Sequence, residues 1–350
     1  MTTSKAFGNV FKLSGILSVK DPLYGAKGDG VSDDTAAINL ALAAGNNVYF
    51  PPGTYLVTGT GLRFTGTYQK RTTIKGAGIG RSIITYTGAG SAIAETTNTR
   101  CSVEIGGLSI YRTGAYGSTI GLNANAWEDS DLHDLLIDGF ASGVEAGTVA
   151  SGDCFRVTLR DSVVKNCNYG VRMEGTTTHV LPCNANNILR TFFNECSESV
   201  YIIDGCNNNH VEMCDFETAS ASDAIYINGN DNYLGPNYFE IPAGVKVNIA
   251  AGIANRVFGL SHAGSSGSFV NSGTDTIIID RGEAILPGTV KVGGAFGCNT
   301  KAVQTAYASG GALNAYGAGA NGFDTAGNAS ALHALVVSIR AALVANGIMS

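Results

Sequence analysis

One pattern recurs through the middle of this chain and limits what the chain can become. Leu136-Ile137-Asp138-Gly139-Phe140-Ala141-Ser142-Gly143-Val144 aligns with Val163-Val164-Lys165-Asn166-Cys167-Asn168-Tyr169-Gly170-Val171, and both align with Phe192-Phe193-Asn194-Glu195-Cys196-Ser197-Glu198-Ser199-Val200. The anchors Val144, Val171 and Val200 lie 27 and 29 positions apart, and a looser copy ends 25 further on at Ile225. Cys214-Asp215-Phe216-Glu217 also recurs as Asn237-Tyr238-Phe239-Glu240. Between the anchors stand short apolar runs, Gly and Asn, with no helical period. A repeat of this length, made only of strands and turns, is one coil of a solenoid. No coil can bury its apolar face alone. Stacking sets Val144 under Val171, Val200 and Ile225, and Phe140 under Cys167 and Cys196. The turns Gly205-Cys206-Asn207-Asn208-Asn209 and Gly229-Asn230-Asp231-Asn232 suit corners that need left-handed backbone, which Asn and Gly tolerate best. The chain is therefore read as all-β, a single-stranded parallel β-helix.

Composition agrees. Gly is abundant (47 of 350 residues) and charged residues are scarce at 14%, which suits tight turns and excludes a disordered chain. The net charge of −6, without a Lys/Arg cluster, argues against nucleic acid as partner. No apolar run is long enough to insert into a bilayer, and Met1–Lys20 lacks the features of a cleaved export signal. Synthesis in the cytoplasm, without export by a cleaved signal, is expected. The eight cysteines offer no CxxC pair and are read as buried free thiols.

The chain has distinctive ends. Tyr24-Gly25-Ala26-Lys27-Gly28-Asp29-Gly30-Val31-Ser32-Asp33-Asp34-Thr35 precedes a short apolar helix that Gly45 and Asn46 end. Ser32 is the expected N-cap, with Asp33 and Asp34 in the first turn. Val48-Tyr49-Phe50 reads as a strand and Pro51-Pro52-Gly53-Thr54-Tyr55 as a turn. Thr276 to Asp280 and Thr289 to Val292 read as further strands. Near the C-terminus Leu332, Leu335, Val336, Ile339 and Leu343 form one helical stripe that needs a partner.

The stretch Tyr24 to Ile38, with Phe50-Pro51-Pro52-Gly53-Thr54-Tyr55, resembles the entry into the pectate-lyase-3-type right-handed parallel β-helix of bacteriophage tailspikes and tail fibres. In that family the short helix caps the open end of the solenoid. Phe296-Gly297-Cys298-Asn299, Gln304-Thr305-Ala306-Tyr307 and Leu332 to Ser350 resemble the trimerising C-terminal tail of phage tail proteins. Residues 65–290 share only the repeat character. The resemblance implies a homotrimer in the virion tail, other tail or baseplate proteins as partners through the N-terminus, and a bacterial surface polysaccharide (capsule, exopolysaccharide or O-antigen) as target. It implies a division into a virion-attachment segment (1–20), a β-helix with its capping helix (21–262), a short β region (263–298), and a connector with the trimerisation helix (299–350). It names no catalytic residue.

Alternate strand residues face outward. With Val171 and Met173 inward, Arg172 and Glu174 point out, and Glu145, Arg172, Tyr201 and Tyr226 fall on one outward row. Aromatic rings beside charged hydrogen-bonders suit a sugar chain; a plain cross-strand packing row is the equal alternative. Glu174 and Asp204 stand at strand ends nearby. Asp215, Glu217 and Glu240 occupy the other repeated strand, Glu217 and Glu240 at equivalent positions of adjacent coils. Glycoside hydrolysis uses two carboxylates ~5–5.5 Å apart for retention or ~6.5–9.5 Å for inversion. Coils ~4.8 Å apart can meet either spacing, although each acid taken alone is most simply surface charge. A glycoside hydrolase is thus favoured, with a lyase built on Arg172 and Tyr201 as runner-up, and a non-enzymatic binding fibre or decoration protein as the alternative function. A secreted pectate-lyase-like enzyme is a third class, disfavoured by the trimerising tail. No cofactor is expected. His133, His179, His210, His262 and His333 show no metal-ligand spacing and are read as structural. Gly76-Ala77-Gly78-Ile79-Gly80 imitates a phosphate loop, but Ile83 to Tyr86 reads as a strand where a helix would be required. Asp29, Asp33 and Asp34 lack calcium-loop spacing.

Overall fold

The computed structural model describes residues 15–280 except 98, 148–153, 175–182, 204, 218–222, 242–244 and 263–267, together with Glu283–Ile285. The expected C-terminal tail, Asp204 and most of the 1–20 segment lie outside the described residues.

The described chain is a right-handed parallel β-helix. Each turn carries three short strands, and equivalent strands of successive turns pair in parallel to form three ladders. The first runs from Leu17–Ser18 through Thr158–Arg160, Asn187–Leu189 and His210–Glu212 to Ile277–Asp280. The second runs from Asp29–Asp33 through Val163–Lys165, Phe192–Asn194, Asp215–Glu217 and Asn237–Glu240 to Leu260–His262. The longer strands Val103–Arg112 and Asp131–Asp138 turn the corner and serve both ladders. The third ladder has nine strands, from Leu62–Phe64 to Ser268–Asn271. Rungs therefore continue beyond residue 262. Past residue 187 a turn of the first ladder shortens from 29 residues to 23.

The valine row stacks in register: Val144 on Val171, Val200, Ile225 and then Val247, each at most 4% exposed. Beside it Phe193, Phe216 and Phe239 stack face to face, with centroids 5.2 and 4.9 Å apart. The seven described cysteines are buried free thiols, and burial pushes the Cys214 thiol up to about 12.

Where the third strand of the first turn would be, the chain forms a helix, α1 (Thr35–Ala44), that buries Ile38, Ala41 and Leu42. Asn39 supplies the hydrogen bonds that a strand would have made. Its Nδ2 donates to the Gly61 carbonyl, and its Oδ1 accepts from the Arg63 N–H. The entry motif differs from expectation in one detail. Asp34, not Ser32, is the residue before the helix, and neither Asp lies in its first turn. Ser32 sits on a strand and donates to Asp29. The Asp34 carboxylate accepts from the Lys27 and Gly28 N–H groups, so it ties the preceding loop instead of the helix end.

One corner contains an internal polar row that the hydrophobic pattern did not reveal. Asn186, Asn209, Asn232 and Asn255 recur every 23 residues and are at most 1% exposed. The backbone N–H and side-chain Nδ2 of each donate to the Oδ1 of the next. The same Nδ2 groups reach the carbonyls of Cys154, Cys183, Cys206 and Gly229. The residues just before them, Ala185, Asn208, Asp231 and Ala254, take φ between 54° and 58° to make the corner. Without the amides each rung would bury unpaired backbone groups. Asn232→Ala strands the Asn209 donors and the Cys206 carbonyl, and should cost on the order of 3 kcal/mol. Asn230→Ala, on the neighbouring half-buried row, should cost less than half of that; denaturant unfolding of both variants measures the difference.

Candidate functional site

On the third ladder the strand register places Glu145 opposite Arg172, Arg172 opposite Tyr201, Tyr201 opposite Tyr226 and Tyr226 opposite Asn248. The Tyr201 and Tyr226 rings stack at 4.9 Å and 22°. A second outward row runs beside it through Tyr169, Glu198 and Asp223. Tyr169 meets Tyr201 at 5.0 Å, and the Arg172 guanidinium lies 5.0 Å over the Tyr169 ring. The result is a half-exposed aromatic surface edged by Glu198, Asp223 and Asn248, with Asn248 Nδ2 donating to Asp223 at 2.9 Å. The repeat alignment that gave the Arg172 row also contained Tyr169, Glu198 and Asp223; they were missed because the reading followed one outward position per strand and not both.

One expected member of the row is not exposed. Glu145 is only 7% accessible: its Oε2 accepts from Ser142 Oγ at 2.8 Å and faces Arg172 Nη1 at 3.5 Å, which draws it against the sheet. Glu174 pairs with the other Arg172 nitrogen. Both arms of the guanidinium are thus engaged by carboxylates. The Tyr201 hydroxyl is held above its ordinary value, first by burial and then by Tyr226, Tyr169, Glu198 and Glu174. A protonated phenol and a doubly paired guanidinium supply no strong base, which weakens Arg172 and Tyr201 as a lyase pair.

The acids Asp215, Glu217 and Glu240 come together on the second ladder, a different face from the aromatic row. Glu217 pairs with Glu240 across the register and with Asn194 on the rung before. Asp215 lies between Phe192 and Tyr238 on the adjacent rungs. Asp215 therefore has an aromatic flank one rung away on each side, and Tyr238 donates to Glu240 at 3.4 Å. Rungs ~4.8 Å apart and strand neighbours two residues apart cover both carboxylate spacings of glycoside hydrolysis. Burial, then the charges of Glu217 and Glu240, raise the Asp215 carboxyl above its usual range. Its Oδ1 is buried and has no hydrogen-bond partner among the described residues. A carboxyl biased toward its protonated form beside two further carboxyl groups suits the division of labour that a general acid and a general base require.

A third feature is an open cleft of about 440 Å³ lined by Lys75, Gly76, Ala77, Gly78, Ile79, Gly106, Gly107, His133 and Asp134. The strand Ser82–Tyr86 follows this glycine-rich turn, as the sequence indicated. His133 Nδ1 lies 2.8 Å from Asp134 and Nε2 lies 3.5 Å from Glu104, which in turn pairs with Lys75 at 2.6 Å. These groups satisfy one another, as in a structural network.

The family described as rhamnogalacturonase A/epimerase, pectate lyase-like, matches residues 16–113. Among solved structures, ORF18 of Geobacillus virus E2 superposes with a TM-score of 0.61 at 19% identity, covering 78% of this chain and 62% of that one. The phiAB6 tailspike, solved in complex with three-repeated oligosaccharides of Acinetobacter baumannii surface polysaccharide, gives 0.51 at 16% identity, with 77% and 49% covered. The fold is the parallel β-helix that these solved structures share. Two curated relatives match in part. Non-secreted LysM effector LysM15 of Penicillium expansum is 29% identical over 222 residues, 54% of this chain and 16% of its own length. Mannuronan C5-epimerase AlgE6 of Azotobacter vinelandii is 43% identical over 74 residues, 19% of this chain and 8% of its own. This chain thus spans a small part of either relative.

The raised Asp215 carboxyl has a consequence for stability. The folded protein holds this proton at pH values where the unfolded chain has lost it. Stability therefore falls as pH rises from the ordinary carboxylate value through the raised native one. Asp215→Asn should unfold at a higher temperature than the wild type at about pH 7 and lose that advantage toward about pH 4. Calorimetry at both pH values measures it; a lower melting temperature at neutral pH would show that the charge is not a burden.

Proposed function

We propose that this protein is a phage tailspike-type receptor-binding protein that holds a bacterial surface polysaccharide and cleaves its glycosidic bonds. The observation that carries this reading is the second-ladder trio: Asp215 raised and flanked by Phe192 and Tyr238, beside Glu217 and Glu240 in register. Asp215 protonates the leaving oxygen. Glu217 or Glu240 acts as the second carboxyl group of the pair, activating water or attacking the anomeric carbon. The aromatic surface of Tyr169, Tyr201 and Tyr226 binds the polymer away from the cleavage point, as flat apolar faces bind sugar rings. A homotrimer within the virion tail, joined to other tail or baseplate proteins through the N-terminal segment, belongs to this reading and rests on the resemblance of the chain's ends and on the fold. The fold of a tailspike solved with surface oligosaccharides supports the choice of ligand.

One observation favours a second reading, a fibre that binds without cleaving. The aromatic surface and the acidic trio stand on different ladders, so binding does not require the acids.

The two readings separate on polysaccharide extracted from host cells. Release of reducing ends, with Glu217→Gln or Glu240→Gln lowering the rate by about 100-fold or more, supports cleavage. Full activity in both variants removes this acid pair, and no sugar release from any host polysaccharide that is bound leaves the binding reading. Tyr226→Ala should weaken binding by about tenfold in either case, read from retardation in polysaccharide-containing gels.

A further inference from the structure

The turns that carry both candidate faces, residues 138–250, contain fourteen acidic and six basic side chains, a net of −8 against −6 for the whole chain. The negative charge is concentrated here, and the remaining residues are slightly basic. The six cations are moreover engaged or withdrawn. Arg156 pairs with Glu128 and Asp129, Arg160 with Asp131 and Asp161, and Arg190 with Asp161. Lys165 faces Asp138 at 3.4 Å, Arg172 is held between Glu145 and Glu174, and Lys246 is buried. None of the residues in this span that fall outside the described set is Lys or Arg. Recognition of a carboxylate, sulfate or phosphate on a sugar needs a cation whose donors point at the ligand. Neither face offers one. Both instead place like-charged acids on successive rungs, Glu217 over Glu240 and Glu198 over Asp223.

We propose that the polymer recognised by these faces is an uncharged polysaccharide, one whose repeating unit bears no uronate, sulfate or phosphate. This rests on the polysaccharide-binding reading above and names its substrate class. Carboxylates and Asn248 accept from and donate to sugar hydroxyls, and the tyrosine rings take the apolar ring faces. A polyanion laid along either ladder would instead bring one charge after another against acids on successive rungs, a repulsion that selects against it.

The test uses the full chain and surface polysaccharides extracted from a panel of bacterial strains. Each extract is split on an anion exchanger into an unretained, uncharged fraction and a retained, acidic fraction. The protein is then run in native gels cast with either one. Retardation is expected in one or more uncharged fractions, changing less than about twofold between about 0.05 M and about 0.5 M NaCl. Acidic fractions should retard it about tenfold less or not at all. Retardation confined to acidic fractions, and lost when their carboxyls are chemically reduced to alcohols, overturns the uncharged class while leaving the polysaccharide-binding reading intact. Retardation by no fraction of any strain overturns that reading itself, and the inference with it.

Discussion

The structure depends on one constraint: each rung must find its partner directly above and below. A coil of this chain exposes strand edges and an apolar interior that it cannot close alone. Parallel pairing in register removes both problems at once, since the backbone groups of one rung pair with the next while the side chains stack on their equivalents. Stacking like on like is tolerable for some residues and costly for others. Valine on valine and phenylalanine on phenylalanine bury apolar area. Asparagine on asparagine works because an amide both donates and accepts, which lets Asn186, Asn209, Asn232 and Asn255 run through the interior with their hydrogen bonds satisfied. The row ends at Thr276, fully buried, whose hydroxyl has no partner among the described residues.

The same requirement accounts for the start of the column. The first turn lacks a third strand, and α1 takes its place. A helix presents few free backbone groups sideways, so it does not extend the ladder. Asn39 bridges the mismatch by offering one donor and one acceptor to the edge of Leu62–Phe64. A strand edge that would otherwise remain a template for another chain is thereby occupied.

The repeat was legible in the sequence because its apolar anchors are large and regular. Val144, Val171, Val200 and Ile225 gave the stacking, and the strand register of the Arg172 row followed from it by alternation. What remained hidden had physical reasons. The internal Asn row carries no hydrophobic signal, and asparagine at a turn is ordinarily read as a surface residue. The burial of Glu145 depends on Ser142 and Arg172 closing around it, a three-body arrangement that alternation does not encode. The entry motif was recognised, but Asp34 turned back to the loop behind it because two backbone N–H groups there lacked other acceptors.

Charges are the strictest test of stacking like on like, and here the column obeys a rule with few exceptions. Across successive rungs acids generally meet bases: Glu104 meets Lys75, Asp131 meets Arg160, Asp138 meets Lys165, Glu145 meets Arg172 and Asp161 meets Arg190. Glu104 opposite Asp131, Glu217 opposite Glu240 and Glu198 opposite Asp223 depart from it. Like charges directly opposite one another destabilise a sheet, and the neighbouring Asp215 carboxyl, raised first by burial and then by the charges of Glu217 and Glu240, is pushed toward its protonated form. A column able to pair its charges elsewhere has no structural need for these positions to be acidic. Local costs that nothing nearby relieves tend to mark the places where a protein does its work. Glu104 and Asp131 each have a cation of their own in Lys75 and Arg160, whereas the other two pairs lie on the surfaces where rings and hydrogen-bonding groups stand together. That combination suits hydroxyl-rich sugars and is hostile to acidic ones.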